Sequence, residues 1–234
     1  GANTLSLVGD TVTLHQVGDG TTDPTQLTVT AATSLSLNNN LTIDGAVALD
    51  ANVAAIALAA NSVIDASGGT NAAIALADVT GDFDLTLTGD TGASGSAITL
   101  DGADVDALAL TGGVLTLNGD IESDGALDFT SVDSITLGGN VVITGDDAGT
   151  KKDITFDAAN VITGANTLSL VGDTVTLHQV GDGTTDPTQL TVTAATGLSL
   201  YGNLTIDGAV ALDTNVAAIT LAAASTIDAS GGTN

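Results

Sequence analysis

GANTLSLVGDTVTLHQVGDGTTDPTQLTVTAAT, residues 1–33, recurs without a change at residues 164–196. The match runs to the end of the 234-residue chain. Residues 1–71 and 164–234 differ at only seven of 71 positions, namely 34/197, 38/201, 39/202, 51/214, 57/220, 61/224 and 63/226. Self-similarity at a fixed offset marks a repeat architecture. The offset of 163 makes residues 1–163 one full unit of a tandem array, and residues 164–234 the first part of the next, with no linker between them. A start at Gly1 and the lack of any Met imply a piece of a longer or processed chain.

A finer repeat lies inside the unit. Three-residue motifs with apolar outer positions begin at Val12 (VTL), Leu35 (LSL), Ile56 (IAL), Ile74 (IAL), Ile98 (ITL), Leu115 (LTL), Ile135 (ITL), Ile154 (ITF) and Val175 (VTL). Their spacings of 23, 21, 18, 24, 17, 20, 19 and 21 divide 163 residues into eight steps, about 20 residues each. Each motif alternates apolar with small polar residues, the period of a half-buried strand. Each is bounded by Gly, Asp or Asn, as in VGD, NGD, LGGN and DASGG. No segment carries a 3.6-residue apolar period over a helical length. The longest polar interruption is GDGTTDPTQ, which holds Pro24 in the first copy and Pro187 in the second.

Strands this short, returning about every 20 residues, predict an all-β right-handed parallel β-helix, a β-solenoid with about eight turns per 163-residue unit and about 11 turns in the chain. With about 4.8 Å between stacked strands, one unit would extend roughly 40 Å. Inward Leu, Ile, Val and Ala form ladders, outward Thr and Ser suit both strand and water, and Gly, Asp and Asn take the corners. Paired immunoglobulin-like sandwiches are the rival, but they use longer strands and an aromatic core.

Composition agrees with this picture and narrows the function. The chain has 28 acidic residues against two basic ones, Lys151 and Lys152, for a net charge of −26, and it has no Arg, Cys, Met or Trp. Nucleic acid and anionic membrane surfaces are excluded as partners, because both need clustered Lys and Arg. Apolar residues make up 43%, too many for a disordered acidic tail. Three Phe and one Tyr fit a narrow interior. The longest apolar run, Val53–Ala60, is far below the roughly 20 residues of a membrane helix, so no membrane insertion is expected. The first residues show no signal peptide.

The stretch LTVTAATSLSLNNNLTIDGAVALDANVAAIALAANSVIDASGGTNAAIAL, residues 27–76, resembles the strand-and-turn repeats of filamentous-haemagglutinin-like and autotransporter-like giant bacterial exoproteins. That resemblance implies a right-handed β-helical shaft, a place outside the cell or on its surface, and a part in adhesion. It extends over nearly the whole chain as a style of phrase, while a secretion domain, a membrane barrel and a tip are not seen in it.

Candidate chemistry is sparse. Asp101, Asp104 and Asp106 in LDGADVDAL, and Asp120, Glu122 and Asp124 in GDIESDG, are the candidate calcium ligands, since calcium takes six to eight oxygens and Asp-Gly loops supply several. Neither set matches an EF-hand or a calcium-binding nonapeptide, and both fit exposed strand and corner positions. No other cofactor is expected. His15 and His178 are the same repeat position, beside a turn and without the partners of a catalytic triad. Lys151 and Lys152 in DDAGTKKD should pair locally with Asp146, Asp147 or Asp153. Carboxylate pairs for glycoside hydrolysis are plentiful, but Phe83, Phe129, Phe156 and Tyr201 are too scattered to form sugar platforms. No enzyme activity is expected.

The sequence therefore predicts a structural segment of a long extracellular or cell-surface fibre or adhesin, a stiff acidic spacer. The alternatives are a self-assembling filament subunit and a calcium-dependent adhesive or surface-layer repeat. The expected partners are flanking repeats of the same chain, end-to-end copies, laterally associated copies, or a host or neighbouring cell surface.

Overall fold

A computed structural model describes residues 3–49, 55–70, 72–90, 96–212 and 218–231. Among them there are strands and turns and no helix, and the strands run from Thr4–Leu14 to Ile227–Asp228. Parallel strands stack as a β-solenoid of about nine turns. The chain divides into two compact units, Gly1–Leu115 and Thr116–Asn234, built on the same plan.

In the first unit three inward ladders run from turn to turn. Leu5, Leu27, Val47, Ile74 and Ile98 form one. Val12, Leu35, Ile56, Val79 and Ala103 form the second. Val17, Leu41, Ile64, Leu87 and Leu110 form the third. From Leu27 onward the first ladder is fully buried, as are the interior members of the other two. The reason is the strand period: alternate residues point inward and meet their counterpart one turn away, while Thr, Ser and Asp between them face water. Each buried Leu, Ile or Val contributes roughly 1.5–3 kcal/mol.

The second unit repeats the plan. Its ladders are Ile135, Ile162, Val180, Leu204 and Ile227; Ile121, Ile143, Leu170, Val192 and Leu212; and Leu127, Ile154, Val175, Leu198 and Ile219. The two sequence copies fold alike down to their irregularities. Thr4–Leu14 pairs with Gln26–Leu37 through a register slip between Gly9 and Thr11. Thr167–Leu177 pairs with Gln189–Leu200 through the same slip between Gly172 and Thr174.

Turn length varies, from 18 residues between Ile162 and Val180 and 20 between Leu27 and Val47 upward, and on average it exceeds the expected 20. Leu41 lies opposite Ile64 and Ile64 opposite Leu87, steps of 23, and Val47 lies opposite Ile74, a step of 27. The tripeptide motifs misled because they do not all share one ladder. IAL at 56 and IAL at 74 lie on different faces: Ile56 stacks on Val79, and Ile74 on Val47. ITL at 135 and ITF at 154 likewise belong to different ladders. Counting across faces shortened the step, so about nine turns replace the expected 11.

The interior also takes rings. Phe129 and Phe156 are fully buried and stacked, with centroids 4.9 Å apart and planes 6° from parallel. They lie two residues beyond the Leu127–Ile154 pair, on the same inward side, so strand stacking sets them face to face. Ring planes one turn apart sit at van der Waals distance, so a ladder of rings fits where a lone ring would leave gaps.

Candidate functional site

What recurs on the described surface is a system of locks between turns. The Asn40 side-chain oxygen accepts a hydrogen bond from the Val63 backbone N–H at 3.0 Å, and its repeat counterpart Asn203 accepts one from Thr226 N–H at 3.0 Å. Asn61 accepts from Asp84 N–H at 3.2 Å while its amide donates to the Asp84 carboxylate at 2.8 Å. Asp120 accepts from Val142 N–H at 2.8 Å, Asn140 from Thr167 N–H at 3.0 Å, and Asp153 from Thr174 N–H at 3.1 Å. Asn40, Asn61, Asp120, Asn140, Asp153 and Asn203 each immediately precede a strand. There the backbone turns a corner and its ladder is interrupted, so a side-chain oxygen takes the amide that the neighbouring carbonyl cannot reach. Among the described residues no buried side-chain nitrogen or oxygen lacks a partner.

The GDGTTDP loop is tied in the same way in both copies. Asp23 is buried and accepts from Asp19 N–H at 2.7 Å and Gly20 N–H at 3.0 Å. Asp186 accepts from Asp182 and Gly183 N–H, both at 2.8 Å. Asp19 accepts in turn from Thr21 and Thr22 N–H, and Asp182 from Thr184 and Thr185 N–H. The Thr21 N–H bond, followed by that of Thr22, holds the Asp19 carboxyl below its ordinary value, and the Thr185 and Thr184 bonds do the same for Asp182. Gly18 has φ +82°, and a Cβ there would sit 2.0 Å from the Thr42 carbonyl oxygen. Gly181, with φ +79°, faces Thr205 in the same manner. Only glycine allows this loop to lie so close to the next turn.

Lys151 and Lys152 lie on the hairpin formed by Val141–Asp147 and Thr150–Lys151, an antiparallel pairing that turns at Ala148 (φ 48°) and Gly149 (φ 90°). Lys151 Nζ is 2.7 Å from Asp146 and Lys152 Nζ 3.2 Å from Asp147. The Lys151 contact holds the Asp146 carboxyl below its ordinary value. Both lysines are thereby neutralised within their own hairpin.

The candidate calcium ligands are all exposed. Asp104 points outward from Ala103–Val105, opposite Thr80, and Asp101 and Asp106 flank that strand. Glu122 points outward from Ile121–Ser123, opposite Thr144, with Asp120 and Asp124 on either side. Asp120 is committed to the Val142 amide. Among the described residues no group of three or more His, Asp or Glu side chains is arranged to hold a metal ion. Consecutive outward carboxylates on a strand or at its corners spread apart, whereas a calcium site needs them to converge.

His178 stacks on Tyr201, with centroids 4.8 Å apart and planes 14° from parallel. The first copy carries Asn38 at the Tyr201 position, so this pair, an exposed Tyr on a half-buried His, is particular to the second copy. Sequence reading missed the stack because the two residues are 23 apart, one turn, and turn length was not known to that accuracy. The corner locks had a visible signal, an Asn or Asp just before a strand, but their acceptor role needed the register. Among the described residues no helix is long and apolar enough to cross a membrane. Comparison with protein-family models, curated proteins and solved structures finds no match to this chain.

Proposed function

We propose that this chain is a spacer segment of an extracellular or cell-surface fibre, of the kind formed by filamentous-haemagglutinin-like exoproteins. One observation carries the reading. Two copies of the same sequence, in two separate compact units, adopt the same strand register, the same slip and the same tied loop. A unit whose fold is decided within itself and its adjacent turns can be repeated any number of times without redesign. Repeat number then sets reach, and the stacked ladders and corner locks supply stiffness.

In this reading the acidic surface acts against sideways pairing of a strand-rich protein, and the role is mechanical, without catalysis. The partners are the neighbouring repeats on either side. Chains carrying one, two and three copies of the 163-residue unit test it by electron microscopy. The expected result is a constant length increment of roughly 30–40 Å per copy, seven to eight turns at about 4.8 Å each. Particles that widen without lengthening would overturn it.

A further inference from the structure

Asn40, Leu41 and Thr42 form an Asn-x-Thr triplet, the acceptor pattern for sugar on asparagine, and Asn203, Leu204 and Thr205 repeat it one unit later. Neither Asn-x-Thr nor Asn-x-Ser occurs anywhere else in the chain. Two of the seven differences between the copies, Asn38/Tyr201 and Asn39/Gly202, fall directly before the triplet and leave it intact.

The strand presents the triplet to solvent. Leu41 and Leu204 are fully buried, so the period of two turns the residues on either side of each outward. Asn40 and Asn203 are exposed, and Thr42 and Thr205 are half-buried. The asparagine and the hydroxyl residue that a modifying enzyme reads together therefore share one side of the backbone.

The reactive atom is also left unused by the fold. The corner lock at each asparagine engages Oδ1 alone, which accepts from Val63 N–H at Asn40 and from Thr226 N–H at Asn203. Among the described residues neither Nδ2 donates a hydrogen bond. A carboxylate serves the same lock at Asp120 and Asp153, so the lock itself does not call for an amide. Other asparagines spend their nitrogen on the fold: Asn61 on the Asp84 carboxylate, Asn160 on the Val132 carbonyl and Asn166 on the Leu137 carbonyl. Asn140 is the natural comparison, exposed and locked like Asn40 but with Val142 two residues on.

We propose that Asn40 and Asn203 are N-glycosylation sites, one in each copy of the repeat. The co-substrate is a sugar joined through C1 to a diphosphate, brought by a transferase. Nδ2 forms the bond to C1, the C1–O bond breaks, the diphosphate leaves with that electron pair, and Nδ2 gives up one proton. The product keeps the Oδ1 carbonyl, so the lock to the next turn survives while the sugar projects into water. A bulky hydrated group at a fixed place in each unit adds to the acidic surface in keeping strand-rich molecules apart. The sites stand apart from the spacer reading, since length per added unit does not depend on sugar.

The protein purified from the cells that make it, cut on the N-terminal side of aspartate, yields residues 23–43 and 186–206 as peptides of different sequence, and residues 133–145 carrying Asn140. Mass spectrometry is expected to find added sugar on the first two, at Asn40 and Asn203, and none on the third. Asn40→Asp and Thr42→Val should each abolish the addition at position 40 and leave that at 203. Exchange of the Val63 amide should be equally slow with sugar, without it, and in Asn40→Asp, because each keeps the accepting oxygen. An unmodified Asn40 or Asn203, sugar on Asn140 to the same extent, or a Val63 amide that exchanges faster once sugar is attached would overturn the proposal.

Discussion

Asp186 shows how much one side chain settles in a protein of this kind. Its carboxylate is buried beneath the GDGTTDP loop and takes two backbone amides, those of Asp182 and Gly183. Asp186→Ala removes the shared acceptor of two part-buried hydrogen bonds to a charged group, at a cost of about 1–3 kcal/mol. Hydrogen exchange at the Asp182 and Gly183 amides is expected to accelerate accordingly, while Asp186→Asn, which keeps the oxygen, restores much of the protection. The neighbouring Asp182 adds a pH dependence. Its folded-state value lies below the ordinary 3.8, first through Thr185 N–H and then Thr184 N–H, so its contribution is complete above 3.8 and is lost as pH falls through the lower folded value. Amide exchange at Thr184 and Thr185 should therefore stay constant from neutral pH down to about 4, after correction for intrinsic rates, and rise below it. Asp19 should behave in the same way through Thr21 and Thr22.

Among the strands, the Phe129–Phe156 stack gives the sharpest test of ladder packing. Both rings are buried and 4.9 Å apart, so Phe156→Ala removes a ring from between Phe129 and the following turn. The expected loss is about 3–5 kcal/mol by urea unfolding, against a much smaller one for Phe156→Leu, which refills most of the volume. This stack also marks where sequence reading stops. Alternating motifs such as LTL and ITL are enough to predict short stacked strands, because a period of two leaves no other way to bury one side. They do not say which strand lies on which, since IAL at 56 and IAL at 74 are the same tripeptide on different faces. Face is decided by the length of each corner, and corners of Gly, Asp and Asn tolerate many lengths. The candidate site was legible to the same extent. The lysine–aspartate hairpin could be read because its partners are five residues apart. The His178–Tyr201 and Phe129–Phe156 contacts join residues one turn apart and required the turn length.

For the molecule as a whole, the question is whether its 28 carboxylates form ion sites or a diffuse field. Only Lys151 and Lys152 oppose them, each already paired in one hairpin, so the charge is almost entirely uncompensated. Like charges held together in a folded chain repel, and unfolding lets them separate, so the field lowers stability at low ionic strength. Salt screens it over about 10 Å at 0.1 M, which raises the melting temperature. A divalent cation attracted to the field does the same whatever its identity. A coordinated site behaves differently: calcium would be preferred strongly over magnesium, whose octahedral shell tolerates little distortion. The exposed and outward Asp101, Asp104, Asp106, Asp120, Glu122 and Asp124 favour the diffuse case. Thermal melts in calcium and in magnesium at equal ionic strength are accordingly expected to coincide, and chelator added to the purified protein in ample sodium chloride should leave the melt unchanged. A rise seen with calcium alone, and abolished by Asp104→Asn or Glu122→Gln, would replace the diffuse field with a structural calcium site and make the stability of the fold dependent on that ion.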